Sequence, residues 1–161
     1  MTQVVVGVDG SRAARTAFHE AVREAAWRDA DVLAVHVVVV PVVAGRDISR
    51  GDIERLQQYG QTVIDHEMGV LTGAYPDGLP VAVETRVVVG HPGVEIMRAA
   101  GVDDDDTPTA ELVVLGSRGL GGFKGLLLGS VSTYASHHLG TRLLIVPPGL
   151  DIDPGDSEDA G

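Results

Sequence analysis

The segment Val4-Val5-Val6-Gly7-Val8-Asp9-Gly10-Ser11 sets the terms for this chain. Four valines around one glycine form a short apolar run, which reads as a strand buried on both faces. Asp9-Gly10 stops that strand, and Ser11 stands where a helix N-cap is needed. Ala14, Ala17, Phe18, Ala21, Val22 and Ala25 then fall on one face at helical spacing. A buried strand followed directly by an amphipathic helix opens an alternating α/β pattern.

The alternation continues along the chain. Residues 31–40 read as a second strand ended by Pro41, residues 45–51 as loop, and 52–71 as a mostly polar helix. Tyr75-Pro76-Asp77-Gly78 is a turn signal. Residues 80–90 predict a third strand and 92–100 a helix with Pro92 in its first turn. An acidic loop over 101–109 precedes a fourth strand at 111–115 and a glycine-rich stretch at 116–129. A short helix over 130–139, stopped by Gly140, leads to a fifth strand at 142–146, closed by Pro147-Pro148. The expected architecture is one doubly wound α/β domain over residues 1–148, with a parallel sheet of five strands and helices on both faces.

Composition agrees with that reading. Hydrophobic residues make up 44% and aromatics only 4%, so Val, Leu and Ala must fill the core, as buried parallel strands require. The net charge of −11 is concentrated: Asp103 to Asp106 and the five carboxylates among residues 151–159 supply nine negative charges. Without them the rest holds 14 acidic and 12 basic residues and is nearly neutral. Both clusters read as solvated segments, and residues 149–161 as an acidic tail expected to lack order. No basic stripe predicts nucleic-acid binding. No run approaches the roughly 18 apolar residues of a membrane span, and Met1 leads into the first strand without a signal-peptide pattern. Zero cysteines exclude disulfides and thiolate chemistry. The simplest expectation is a cytoplasmic protein.

Open α/β sheets bind ligands outside the carboxyl ends of their strands, where the strand order reverses. Two segments stand at such ends: Asp9-Gly10-Ser11 and Gly116-Ser117-Arg118-Gly119. The stretch 116–130 holds six glycines in fifteen residues. Glycines between a strand and a helix let backbone amides approach anionic oxygens, and the Ser130 and Ser132 hydroxyls would add donors to a phosphate. Neither G-x-x-x-x-G-K-[ST], nor G-x-G-x-x-G, nor G-x-S-x-G is present. The pattern found is G-x2-G-x9-G-S, formed by Gly116, Gly119, Gly129 and Ser130. Substitution of Gly119 or Gly129 is expected to act on phosphate binding far more than on folding.

These residues resemble the universal stress protein family, in its ATP-binding branch. The resemblance rests on Val5-Val6-Gly7-Val8-Asp9-Gly10-Ser11, His36-Val37, Leu115-Gly116-Ser117-Arg118-Gly119, Leu128-Gly129-Ser130-Val131-Ser132 and Leu144-Ile145-Val146-Pro147. It implies strand order 3-2-1-4-5, ATP as ligand, magnesium or manganese on the phosphates, and a homodimer through the fifth strand. It puts Asp9 near the adenosine, with Gly7 and Val8 lining the pocket and Val37 meeting adenine through its backbone. Gly116, Arg118 and Gly119 would line ribose and phosphates, Gly129, Ser130, Val131 and Ser132 would hold the phosphates, and Leu115 would belong to the same binding site. The acidic insertion at 103–109 and Glu111, where the family favours Asp, depart from the pattern but precede the pocket.

Plainer roles stand beside these. Asp9 alone reads as a turn or cap residue, and His36 as a hydrogen-bonded core histidine. His137 and His138 point about 100° apart on a helix and make no metal pair. His19, His66 and His91 have no zinc spacing, and Asp103 to Asp106 lack the calcium-loop pattern. Lys124 is as readily a solvated loop charge as a phosphate ligand. No residue stands out as a general base aimed at water, so the leading expectation is an ATP-binding stress-response or signalling protein, with slow ATP hydrolysis as the most it would catalyse. A nucleotidyl transferase or ATP pyrophosphatase needs H-x-G-H or S-G-G-x-D-S, and both are missing. A nucleotide-free interaction module sharing the fold is the third alternative.

Overall fold

The computed structural model describes residues 2–40, 48–102, 109–121 and 127–149. The acidic run at 103–106, Lys124 and the acidic tail from residue 150 lie outside them. Strand β1 (Gln3–Gly7) leads through Asp9 and Gly10 into helix α1 (Arg12–Arg28). Then come β2 (Asp31–Val38), α2 (Arg50–Gly73), β3 (Val83–Val89), α3 (Pro92–Ala99), β4 (Ala110–Gly116), α4 (Ser130–His138) and β5 (Arg142–Val146). The five strands are parallel throughout, in order β3-β2-β1-β4-β5. The expected fold is therefore the observed one.

Side chains alternate across the sheet as the pleat demands. Val4 and Val6 of β1 join Phe18 and Ala21 of α1 and Ile64 and Leu71 of α2 in one core layer. Val5 turns the other way, to Ile96 and Met97 of α3 and Ala135 of α4. Alanines on α1 let that helix lie close to the strands, which is how so aromatic-poor a chain closes its interior.

Element ends differ from the sequence reading by a few residues. Helix α2 begins at Arg50, before Asp52, because Ser49 and Asp52 form a capping box: each side chain meets the other residue's backbone N–H. Strand β2 stops at Val38 and β3 starts at Val83, each inside the predicted run. Ser11 caps α1 as expected, its Oγ accepting from the Ala14 N–H at 3.2 Å. The order of strands in the sheet places β4 on the far side of β1 from β2. The carboxyl ends of β1 and β4 are therefore neighbours where the sheet's winding reverses.

Candidate functional site

At the end of β1, Gly10 takes φ of 82°, a left-handed conformation that favours glycine. This turn brings the Asp9 carboxylate back over the loop: Oδ1 accepts from the Ser11 N–H at 2.9 Å, and Oδ2 from the Leu120 N–H at 3.3 Å. The Ser11 hydroxyl, besides capping α1, donates to the Arg118 carbonyl at 3.3 Å. The turn after β1 and the loop after β4 are thus tied together by Asp9 and Ser11.

Gly116 ends β4 hard against α1. A Cβ there would stand 2.7 Å from the Ala13 carbonyl carbon and the Ala14 nitrogen, so the approach of α1 itself demands glycine. Beyond it the glycine segment is pinned at its base. The Gly129 N–H donates to the Ser117 carbonyl at 2.7 Å, and the Ser132 hydroxyl donates to the Gly116 carbonyl at 2.8 Å. The buried Ser132 hydroxyl is therefore spent on backbone, contrary to the expected phosphate donor, and Ser132 offers a ligand only its N–H. Gly129 is the N-cap of α4 and supplies no side-chain cap. The first amides of that helix have no intrahelical partner, and Ser130 at the mouth is exposed.

These pieces enclose one cleft of about 460 Å³, within the range of small-molecule sites. Gly7, Val8, Asp9, Val37, Leu115, Gly116, Arg118, Gly119, Gly129, Ser130, Val131 and Ser132 all line it. Every residue assigned to the site from sequence is thus brought to one place. Arg118 is exposed on the rim, the described basic residue of the glycine segment.

The cleft also takes lining that sequence reasoning did not assign. Pro92 and Ile96 arrive from α3, Ala14 from α1 and Val39 from just beyond β2, while Leu120, Gly121 and Leu128 belong to the glycine segment. Val35 and His36 complete the floor. The glycine-segment residues had a signal in their neighbours; α3 had none, because only the fold brings its first turn to this edge. His36 is a hydrogen-bonded core histidine, as its apolar strand predicts, with Nδ1 2.7 Å from the Val8 carbonyl, yet it stands in the cleft wall.

The Universal stress protein family matches this chain over residues 1–147. The chain belongs to that family. A universal stress protein of Mycolicibacterium smegmatis is 32% identical over 152 residues, covering 90% of this chain and 45% of that relative. This universal stress protein spans about half the length of the curated relatives it matches. Among solved structures, the universal stress protein UspA from Lactobacillus plantarum shares the fold with a TM-score of 0.67 at 23% identity, covering 90% of this chain and 97% of its own. A universal stress protein in complex with cAMP gives a TM-score of 0.54 at 26% identity, with 92% of this chain and 98% of that one covered.

Proposed function

We propose that this universal stress protein binds an adenine nucleotide, ATP above all, and acts as a nucleotide-responsive protein of the cytoplasmic stress response. The observation that carries the reading is the uncapped start of α4 in the same cleft as the edge of β2. The amides of Ser130, Val131 and Ser132 suit phosphate oxygens, since a helix N-terminus favours an anion. Arg118 adds a charged donor that can fork onto phosphate. At the other end, the Val37 backbone suits the polar edge of a base, with the ribose between Asp9 and Gly116. The cAMP complex of a related protein supports the same ligand class.

A magnesium or manganese ion would ride on the phosphate oxygens. Among the described residues no group of three His, Cys, Asp or Glu side chains converges on a site of its own. Asp9 is a brace rather than a base, because both its oxygens already accept backbone amides. Binding rather than turnover is the reading. Exposed edge strand β5, with Leu143, Leu144 and Ile145 only half-buried, would pair with a second copy. Among the described residues no helix is long and apolar enough to cross a membrane.

Titration of labelled ATP with magnesium, with product analysis of the same mixture, tests the reading. Saturable binding with little turnover is expected. A wild type that binds no adenine nucleotide overturns it, and rapid hydrolysis would make the protein an enzyme instead.

A further inference from the structure

Strands β1 and β2 pair in register from Gln3↔Asp31 to Gly7↔Val35. Within β2 the odd residues turn their backbone to β1: the Asp31 N–H donates to the Thr2 carbonyl, and the Val35 carbonyl accepts from the Val8 N–H at 2.9 Å. The even residues turn to β3, where the Val32 N–H meets the Ala82 carbonyl and the Val38 carbonyl accepts from Gly90. Val37 is odd, so a continuing parallel ladder would send its N–H to the Val8 carbonyl. Among the described residues that bond is not formed, and the register ends at Gly7↔Val35.

The Val8 carbonyl is instead taken by His36, whose Nδ1 lies 2.7 Å away. A carbonyl only accepts, so Nδ1 carries the hydrogen. Both residues are buried, at 2% and 7% exposure, and water is not needed to satisfy the carbonyl. The ring is backed by α2: a Cβ on buried Gly60 would lie 3.1 Å from His36 Cδ2, so the glycine there lets the helix press directly on the imidazole.

We infer that His36 is a positioning residue which occupies the Val8 carbonyl, ends the β1–β2 ladder one bond early and leaves the Val37 N–H and carbonyl facing the cleft as a donor–acceptor pair. The ligand group that matches such a pair is a flat heterocycle with an acceptor beside a donor. The identity of that heterocycle as a nucleotide base rests on the function proposed above; the backbone arrangement does not. A core histidine with a purely structural part would satisfy Val8 just as well, but would leave Val37 indifferent to its replacement.

His36→Leu removes the donor, and the Val37 N–H is then the nearest group in register to claim the buried carbonyl. His36→Asn keeps an N–H donor at the same branch of the side chain. Amide exchange followed by NMR on the full chain without ligand should show the Val37 N–H less protected than that of Val35. Its protection should rise in His36→Leu and return in His36→Asn. Adenosine monophosphate should bind about tenfold more weakly to His36→Leu, equivalent to roughly 1.4 kcal/mol, with affinity restored in His36→Asn. Inorganic tripolyphosphate, which has no heterocycle, should bind both variants like wild type. Protection of Val37 in the free wild type, or exchange unchanged by His36→Leu, overturns the role of His36, and the wild-type measurement stands even if the leucine variant does not fold. Equal weakening of both probes overturns it too. Exchange that follows the expected pattern in a protein binding neither probe supports the His36 role and overturns the nucleotide reading alone.

Discussion

Asp9 Oδ2 lies 2.5 Å from the point where a Cβ on Gly119 would stand. Gly119 is therefore required by Asp9 before any ligand arrives. An alanine must push the carboxylate aside, and that carboxylate is held by the Ser11 and Leu120 amides. Each such bond contributes roughly 1 kcal/mol net. Gly119→Ala should lower stability by about 1–2 kcal/mol in urea titrations, more than the sequence suggested, and by much less in an Asp9→Ala background. A double-mutant cycle measures this coupling; additive losses would show that the two residues do not meet.

Gly129 is the contrasting case. A Cβ there finds only ordinary contacts, the nearest being Arg118 Cα at 3.4 Å, and its φ of −73° suits any residue. Because Gly129 is the N-cap of α4, Gly129→Ala should cost only about 0.5 kcal/mol, the difference between glycine and alanine at that position. If phosphate occupies the start of α4, the added methyl should still weaken ATP by about tenfold to a hundredfold, the worth of one charge-assisted hydrogen bond of roughly 1.5–3 kcal/mol. Unchanged affinity would move the phosphates elsewhere.

Two of the glycines on helix α2, Gly60 and Gly69, carry opposite expectations. Replacing a mid-helix glycine by alanine ordinarily stabilises by about 1 kcal/mol, and exposed Gly69, with nothing within 4 Å, should behave so. At Gly60 a Cβ would lie 2.6 Å from Val38 Cγ2 and Val87 Cγ1. Overpacking of that kind costs roughly 1–3 kcal/mol, so Gly60→Ala should destabilise while Gly69→Ala stabilises. Denaturant midpoints of the two variants moving in the same direction would contradict this.

Glu67, at 2% exposure, takes Arg15 in a forked pair, with Nε to Oε2 at 2.9 Å and the second bond at 3.0 Å, joining α2 to α1. Loss of one partner of a fully buried pair costs about 3–5 kcal/mol. The Arg15 side chain retains 26% exposure, so its charge can recover some hydration when the carboxylate is removed. Glu67→Ala should therefore cost about 2 kcal/mol, and Arg15→Met with Glu67→Leu together should cost less. A single variant as stable as wild type would show the pair contributes nothing.

Burial holds the Tyr75 phenol above its ordinary value of 10.0, with Arg23 opposing and Glu20 reinforcing the shift. A raised folded-state value means that this contribution is complete below the unfolded value and is lost as pH climbs through the folded one. Stability measured from pH 9 to 12 should thus decline less steeply in Tyr75→Phe. Parallel curves would deny Tyr75 a part in alkaline unfolding.

If β5 pairs two copies, Ile145→Lys should put a charge into the shared edge and yield monomers in sedimentation. Dimers in the variant would place the contact on another surface, and a monomeric wild type would remove the pairing altogether.

The fold was legible because the strands are short apolar runs punctuated by glycine and proline, and because Ser11 and the α1 alanines follow local rules. The cleft residues were legible through the spacing of Gly116, Gly119, Gly129 and Ser130 and its likeness to a family. What was hidden is nonlocal. Gly116 reads as a ligand glycine, yet its bare Cα is already required by the backbone of Ala13 and Ala14 on α1, far earlier in the chain. Pro92 and Ile96 reach the cleft only through the order of the strands. Gly60 sits in a helix read as mostly polar, and no pattern in its neighbours announces Val38 and Val87 against it.

The two margins of the sheet are unlike. β3 exposes Glu84 and Arg86, which pair with each other at 3.1 Å, whereas β5 offers Leu143, Leu144 and Ile145 beside the single charge of Arg142. A margin studded with charges resists being extended by another strand. Growth through the other margin alone is self-limiting: once two copies meet face to like face, both receptive margins are used. A head-to-tail filament would need β3 to accept β5 repeatedly, and the charges on β3 disfavour that step.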